Sequence, residues 1–213
     1  MTRESPYAVP HKGLRNALGR FQALAGSTRY DDAFELERLK ARGVELAMLL
    51  THHLVNENRF YLEPLRTRAE AAALHDLHDH ERLEPLQRAW VSRLDRLEVT
   101  SPGSQAHAFY LAVSEFHSAY LAHLLHEERV TERVMFEHFT DDEVATMSAA
   151  IFAHVEVPVL VASLRYIIPA LPLGERRAML DRVRGAPFFP EVVAALADEL
   201  TPVAFEELDL RAP

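Results

Sequence analysis

Cysteine is absent from the 213-residue sequence, and this absence excludes several kinds of site at once. The chain can form no disulfide, offer no thiolate to a metal ion and use no cysteine nucleophile. Positive charge is also scarce, because 23 Lys and Arg residues stand against 32 Asp and Glu residues, which gives a net charge of -9. No basic run could neutralise a phosphate backbone, so the sequence argues against a nucleic-acid partner.

Targeting and membrane-spanning signals are lacking too. The first 13 residues, MTRESPYAVPHKG, contain no apolar core of the kind a signal peptide needs. The most apolar segment, 151–173, is interrupted by Glu156, Pro158 and Arg165, which favours a buried or interface helix over a membrane span. We therefore expect a cytoplasmic protein with no membrane partner. A glycine-rich phosphate loop and a nucleophile elbow are also missing.

Helical periodicity extends through almost the whole chain, and no segment shows sustained alternation between turn signals. The sequence therefore predicts an all-α fold. Long helices are expected near 8–25, 31–63, 74–98 and 105–138. Pro64 is expected to end the second of them. The short connections predict an antiparallel up-down four-helix bundle within residues 1–139.

The last third of the chain, 140–213, is predicted to be a helical extension packed on the bundle. Thr140 followed by Glu143 is the signature of a capping box, and it starts a helix that Pro158 is expected to kink. Shorter helices are expected near 174–185, 190–200 and 202–209. The apolar part of this extension favours a homodimer.

Histidine is abundant, with 12 copies, and a repeat places several of them. HLVNENRF, which begins at His53, matches HLLHEERV, which begins at His123, in its His, Leu, Glu and Arg residues. Upstream of each stands one further histidine: 42 residues separate His11 from His53, and 43 separate His80 from His123. The pattern is a repeated helical hairpin with one His on its first helix and His-x-x-x-Glu on its second.

Spacing and hydrophobic pattern direct this set of residues to the interior. A His and a Glu at positions i and i+4 lie one above the other on one helix face, and apolar neighbours mark that face as buried. A buried, unpaired carboxylate is costly, so an ion pair, a catalytic dyad or a metal must compensate it. Pro85 is expected to kink the helix that carries His80. The candidate metal ligands are His11, His53, Glu57, His80, His123 and Glu127.

Four imidazoles and two carboxylates suit a divalent or trivalent transition metal, whereas a site without thiolates disfavours copper(I) and iron–sulfur clusters. If both glutamates bridge two metals, the histidines supply four bonds, the carboxylates four, and a bridging oxide or hydroxide two. Two octahedra offer twelve positions, so about two would stay open for a small ligand such as dioxygen or peroxide.

The order of these motifs, a single His, His-x-x-x-Glu, a single His and a second His-x-x-x-Glu, resembles the hemerythrin-like HHE cation-binding domains over residues 8–138. The resemblance implies that the six candidates hold two iron ions. It also implies reversible dioxygen binding, sensing of oxygen or iron, iron handling, or peroxide reactivity. Manganese or a mixed pair suits the same ligands.

The chain departs from hemerythrin proper at two positions. Asp76 stands where that protein has a further ligand histidine, and Glu127 stands where it has an aspartate. These departures favour sensing or reaction over bulk oxygen transport. Asp76 and His126 are candidates for an additional ligand or a hydrogen-bond partner of one. Iron storage or homeostasis, and a metal-free helical interaction module that uses residues 144–171, remain alternative functions.

The other histidines near these motifs are expected to lie outside the site. His52 is rotated by about 100 degrees from His53 around a helix, which predicts a surface position. His75 and His78 belong to LHDLHDHE, whose side chains should diverge on a helix and form a solvated face. Tyr61 and Tyr120 are expected to be core aromatics.

Overall fold

The computed structural model of the protein describes residues 3–208 and 210. Within that part of the chain the structure is 84% helix and has no strands, which confirms the predicted all-α class. In chain order the α-helices are α1 (Ala8–Ser27), α2 (Ala33–Glu57), α3 (Glu63–Arg68), α4 (Glu70–Asp95), α5 (Gly103–His126), α6 (Glu132–His138), α7 (Asp141–His154), α8 (Val157–Ile167), α9 (Leu173–Val183), α10 (Phe189–Glu199) and α11 (Pro202–Glu206). A π-helical turn, Asn58–Leu62, joins α2 to α3, and a second, Glu127–Thr131, joins α5 to α6.

The helices that carry the candidate ligands surround a common apolar interior. α1 packs against α2 and α5, and α4 packs against the same two helices. Their inward side chains form a main apolar cluster to which all four helices contribute, for example through Leu18, Leu50, Trp90 and Phe116. Burial of such large apolar side chains is the dominant favourable contribution to folding.

A second apolar cluster includes Tyr7 at the N-cap of α1, Tyr61 in the π-helical turn after α2 and Met135 of α6. On α1, His11 falls between Tyr7 of the second cluster and Leu14 of the main cluster. Along the chain, His53 and Glu57 likewise fall between Leu50 of the main cluster and Tyr61 of the second, and on α4 His80 falls between Ala73 of the second cluster and Leu83 of the main one. The candidate ligands therefore form a polar layer between two apolar layers.

The prediction that Pro64 ends the second long helix is wrong, because helical structure continues to Arg68. In the π-helical turn before Pro64 the hydrogen bonds change register, and the backbone N–H of Glu63 donates to the carbonyl of Asn58. Pro64 lies in the first turn of α3, where proline is tolerated because the N–H it lacks is not required there.

The capping box at the start of α7 is confirmed. The Glu143 backbone N–H donates to the Thr140 hydroxyl, and the Thr140 backbone N–H donates to the Glu143 carboxylate. The expected kink at Pro158 is wrong. α7 ends at His154, and Pro158 lies in the first turn of the separate helix α8.

Among the described residues, no single helix is both long and apolar enough to cross a membrane. α7 and the helical stretch Val157–Ala170 satisfy both conditions only when they are taken together, and they meet at an angle of 117°.

The chain after residue 139 contributes to the main core. Val159 and Tyr166 of α8 belong to the main apolar cluster. α8 approaches α1 closely at Gly13, where a Cβ atom would clash with the side chain of Ile167, so no larger residue fits without movement. α9, α10 and α11 supply residues to a third apolar cluster around Ile168. The division at 139/140 into a bundle and an extension stays a prediction.

Candidate metal centre

The structure brings all six predicted ligand residues together in two adjacent groups. The groups are His11, His53, Glu57 and Glu127, and Glu57, His80, His123 and Glu127. Within each group, one nitrogen or carboxylate oxygen from every residue lies within 4.8 Å of the others, so either group could hold a metal ion. Both glutamates belong to both groups.

These polar side chains are withdrawn from solvent. Five of the six have relative exposures between 0% and 5%, and the side chain of His53 is 12% exposed. The expected kink at Pro85 does not turn His80 away, because α4 continues through that proline and His80 is buried in the site. Burial of so many polar groups is costly unless each finds a partner.

Several nitrogen–oxygen separations in the site are too long for hydrogen bonds. His11 Nε2 lies 3.5 Å from Glu57 Oε1 and 3.6 Å from Glu127 Oε2. His80 Nε2 lies 3.8 Å and 3.7 Å from oxygens of the same two glutamates. Hydrogen bonds of this type measure about 2.7 to 3.2 Å, whereas two ligands of one ion, each about 2.1 Å from it, stand about 3.0 to 4.2 Å apart. The spacing fits ligands around a shared cation.

The two His-x-x-x-Glu pairs meet as their helical spacing predicts. His53 Nε2 lies 3.1 Å from Glu57 Oε2, and His123 Nε2 lies 3.3 Å from Glu127 Oε2. His80 Nε2 is 3.1 Å from His123 Nε2. Two imidazole nitrogens and the carboxylates therefore converge on one point from different helices.

The carboxylates at the centre of the site have no hydrogen-bond partners within the described part of the chain. All four oxygens of Glu57 and Glu127 are buried without a hydrogen-bond partner, as are the Nε2 atoms of His11 and His53. Buried polar atoms without partners are rare in folded proteins, and each costs about 1 to 3 kcal/mol. A cation at this point would satisfy all of these atoms together.

Burial shifts the ionisation of the glutamates. Removal from water raises the pKa of Glu57, and the same effect, with the nearby charge of Glu57, raises the pKa of Glu127 well above its usual range. Two ionised carboxylates placed side by side in an apolar interior repel each other and lack solvent. A divalent ion between them would reverse both effects.

Burial also keeps three of the histidines neutral. It lowers the pKa of His53 well below its ordinary value, the pKa of His80 to about 4 and the pKa of His123 to about 2. Neutral imidazole is the form that binds metal ions. For His11, burial also lowers the pKa, but the nearby carboxylates of Glu128 and Glu57 outweigh it, so the net shift is upward. A protonated His11 would balance only one of the two buried carboxylates.

Two residues that the sequence analysis missed orient the single histidines. His11 Nδ1 lies 3.1 Å from Glu128 Oε1, and His80 Nδ1 lies 2.6 Å from Asn58 Oδ1. His11, with help from Arg15, lowers the pKa of Glu128 to about 2, so this carboxylate accepts and the Nδ1–H donates. The Nε2 atom of each ring then faces the central glutamates. Metal-bound histidines are usually oriented in this way, by a hydrogen bond from the ring nitrogen that does not bind the metal.

A π-helical turn accompanies each shared glutamate, which the sequence analysis also missed. Asn58–Leu62 begins directly after Glu57, and Glu127–Thr131 begins at Glu127 itself. Single π-helical turns within α-helices are rare and occur frequently at functional sites. The positions of the two turns in the repeat differ by one residue.

The neighbouring residues differ from one another in their surroundings. His52 is half-buried and belongs to neither group. Tyr61 is a core aromatic whose hydroxyl pairs with Ser148 at 2.9 Å. Tyr120 is also buried, as expected, but its hydroxyl has no hydrogen-bond partner among the described residues, and its ring centroid lies 5.8 Å from that of His123.

The predicted solvated face of LHDLHDHE is only partly correct. His78 is exposed, but the side chain of Asp76 is fully buried. Asp76 lies outside the two central groups and instead joins His75 and His126 in a third group. Asp76 is buried because α5 and the π-helical turn that follows it pack against α4 at this point.

The donor set, its burial and its unpartnered oxygens all fit a metal centre, and the buried His and Glu groups could hold a metal ion. Comparison of the chain with family models, curated proteins and solved structures finds no match.

Proposed function

We propose that this protein is a non-haem di-iron protein of the hemerythrin-like kind that binds or reacts with dioxygen, peroxide or a similar small ligand. The observation that carries the proposal is the sharing of Glu57 and Glu127 by two groups of potential ligands, with all four carboxylate oxygens unpartnered. Two separate oxygens on each glutamate allow each side chain to bridge two ions.

The ligands divide evenly in this proposal. His11 and His53 would hold one ion, His80 and His123 would hold the other, and the two glutamates would bridge them. An oxide or hydroxide would be a further bridge. About two of the twelve positions of two octahedra would be left for a small ligand. The ligand types suit both iron and manganese. The resemblance to hemerythrin-like domains is what favours iron.

We further propose that the long helices form an antiparallel up-down bundle around this centre. The contacts of α1 with α2 and α5, and of α4 with the same two helices, support a closed ring of four. In such a ring every helix contributes at least one ligand, so the geometry of the centre depends on the packing of the whole bundle.

The surroundings suit a small ligand. A bound iron pair supplies redox-active positions that can take up dioxygen or peroxide. The apolar layers on both sides of the polar layer exclude bulk water. A surface cleft lined by Asp79, Leu83, Leu86, Ala122 and His123 leads toward the half of the site that contains His123.

Iron analysis and visible spectra of three variants test the proposal. His53→Ala and Glu57→Ala each remove a predicted ligand, whereas His52→Ala is a matched control at a neighbouring, half-buried histidine. We expect full-length protein from iron-supplied cells to contain two tightly bound iron ions per chain and to change its visible spectrum with oxygen or peroxide. The first two variants should lose both properties and the control should keep them.

The outcomes separate the candidate functions. Iron without any oxygen- or peroxide-dependent spectrum would favour iron storage or homeostasis. Absence of metal from the wild-type protein would favour the metal-free interaction module. Loss of iron in His52→Ala with retention in His53→Ala would contradict the ligand assignment on α2.

A further inference from the structure

A third group of potential ligands lies toward solvent, where α4 passes α5. It consists of His75, Asp76 and His126, which we call the outer group. One ligand atom from each residue lies within 4.8 Å of those of the other two. The side chains of His75 and His126 are 52% and 28% exposed, whereas that of Asp76 is fully buried. The group is therefore open to solvent on one side and closed on the other.

The buried carboxylate of Asp76 is only half satisfied. Its Oδ2 accepts a 2.5 Å hydrogen bond from the Thr131 hydroxyl, which fixes the orientation of the side chain. Its Oδ1 is buried without a hydrogen-bond partner among the described residues and lies 3.7 Å from His126 Nε2. That distance exceeds a hydrogen bond but matches the separation of about 3.0 to 4.2 Å between two ligands of one ion.

The two histidines of the outer group come from different helices and face each other. The ring centroids of His75 and His126 are 3.9 Å apart. A second carboxylate lies beside them, because Asp79 Oδ2 is 3.7 Å from His75 Nε2. Two imidazoles close to two carboxyl groups form a donor set that attracts a divalent cation. Imidazole favours zinc and the first-row transition metals over magnesium and calcium.

We infer that the outer group is a second metal site, which binds one divalent transition-metal ion through His75, Asp76 and His126. Three protein ligands leave at least one coordination position to water on the solvent side. The site uses none of the six residues of the central site. It therefore stands whether or not the central site holds iron.

Zinc binding to metal-stripped, full-length protein tests this inference, with equivalents counted by calorimetric titration. His75→Ala and His126→Ala each remove one ligand with an exposed or partly exposed side chain. His78→Ala removes an exposed histidine of α4 outside the group and is the matched control. We expect each of the first two variants to bind one zinc equivalent fewer than wild type, and the control to bind as many as wild type. Asp76→Asn, which keeps the shape of the side chain, should also lose that equivalent.

The inference about the outer group can be tested whatever the result for the central site. If His53→Ala has already lost the central ions, adding His126→Ala should remove one more equivalent. If the wild-type protein binds a single zinc ion that His126→Ala abolishes and His53→Ala spares, that ion occupies the outer site and the central residues hold no zinc. Unchanged zinc equivalents in His75→Ala and His126→Ala, with helical content retained by circular dichroism, would overturn the inference.

Discussion

The ring of His80 is held by Asn58, whose Oδ1 lies 2.6 Å from the ring Nδ1. His11 and Glu128 repeat this relationship in the other half of the molecule. Asn58 directly follows Glu57, and Glu128 directly follows Glu127. Each His-x-x-x-Glu segment therefore also carries the residue that orients the single histidine of the other hairpin.

Loss of this support should weaken metal binding without abolishing it. We expect Asn58→Ala to reduce metal affinity by about 10- to 100-fold, the usual effect of removing a partner of a ligand histidine. Asn56→Ala, two residues away on α2, is the control and should bind like wild type. Competition with a chromophoric chelator measures both. Equal affinities for the two variants would contradict the role of Asn58.

Removal of one central charge should stabilise the metal-free protein. The raised pKa of Glu127 means that its stabilising contribution is present below about pH 4.5 and is lost as the pH rises through the folded-state pKa. Glutamine has no such penalty. We expect metal-free Glu127→Gln to melt at least about 2 °C above metal-free wild type at pH 8, the shift for roughly 1 kcal/mol in a chain of this size.

The same substitution should impair metal loading, because glutamine is a poor bridging ligand. Glu115→Gln, at an exposed position of α5, is the control for a surface charge change and should alter neither property. Thermal melts followed by circular dichroism at pH 8 and pH 4 give the comparison. A metal-free Glu127→Gln protein that melts below wild type at pH 8 would argue against a charge burial cost at this residue.

Metal affinity at the central site should fall as the pH falls from 8 to 5. The pKa values of Glu57, Glu127 and His11 are raised, so protons compete with the cation at these residues first. His80 and His123, with pKa values lowered to about 4 and about 2, compete only at lower pH.

Calorimetric titration in buffers of different ionisation enthalpy counts the protons released. We expect proton release on metal binding at pH 6, measured in His75→Ala protein so that the outer group does not contribute. Constant affinity across this range, with no proton release, would show that the central carboxylates are ionised before the metal binds.

Removal of metal should lower the melting temperature. A ligand at 100 times its Kd stabilises the native state by about 2.7 kcal/mol, which corresponds to roughly 5 to 10 °C for a chain of this size. We expect a chelator to lower the melting temperature of His75→Ala protein, which lacks the outer site, by at least about 5 °C and to leave that of the double variant His53→Ala/His75→Ala unchanged. An equal fall in both proteins would point to an effect of the chelator outside the central site.

Helix geometry explains why so much of the candidate site follows from the sequence. A His and a Glu four residues apart must share a helix face, and the apolar residues flanking His53 and His123 show which face is buried. The duplicated hairpin then relates the two halves. These are local properties of single helices, and they do not depend on the angles at which the helices cross.

Properties that depend on contact between helices escaped the sequence analysis. The π-helical turns after Glu57 and at Glu127 change the hydrogen-bond register, and the helix propensities of the residues do not predict such a change. Asn58 and Glu128 act across helices, so their roles require knowledge of which helices are neighbours. The repeat did contain a signal, since both residues follow the glutamate of their motif.

Burial of Asp76 has the same origin. Considered on one helix, the side chains of LHDLHDHE diverge, and a solvated face is the natural interpretation. Packing of α5 and of the π-helical turn after it against α4 covers Asp76 with His126 and Thr131, whereas His78 stays exposed. The neighbouring helix determines which side of a polar helix is buried.

Anomalous diffraction at the iron absorption edge, from crystals of iron-loaded full-length protein, tests the central claim most directly. The account predicts two adjacent iron peaks between Glu57 and Glu127, one next to His11 and His53 and the other next to His80 and His123. A single peak, or none, among these six residues in crystals that contain iron elsewhere would contradict it.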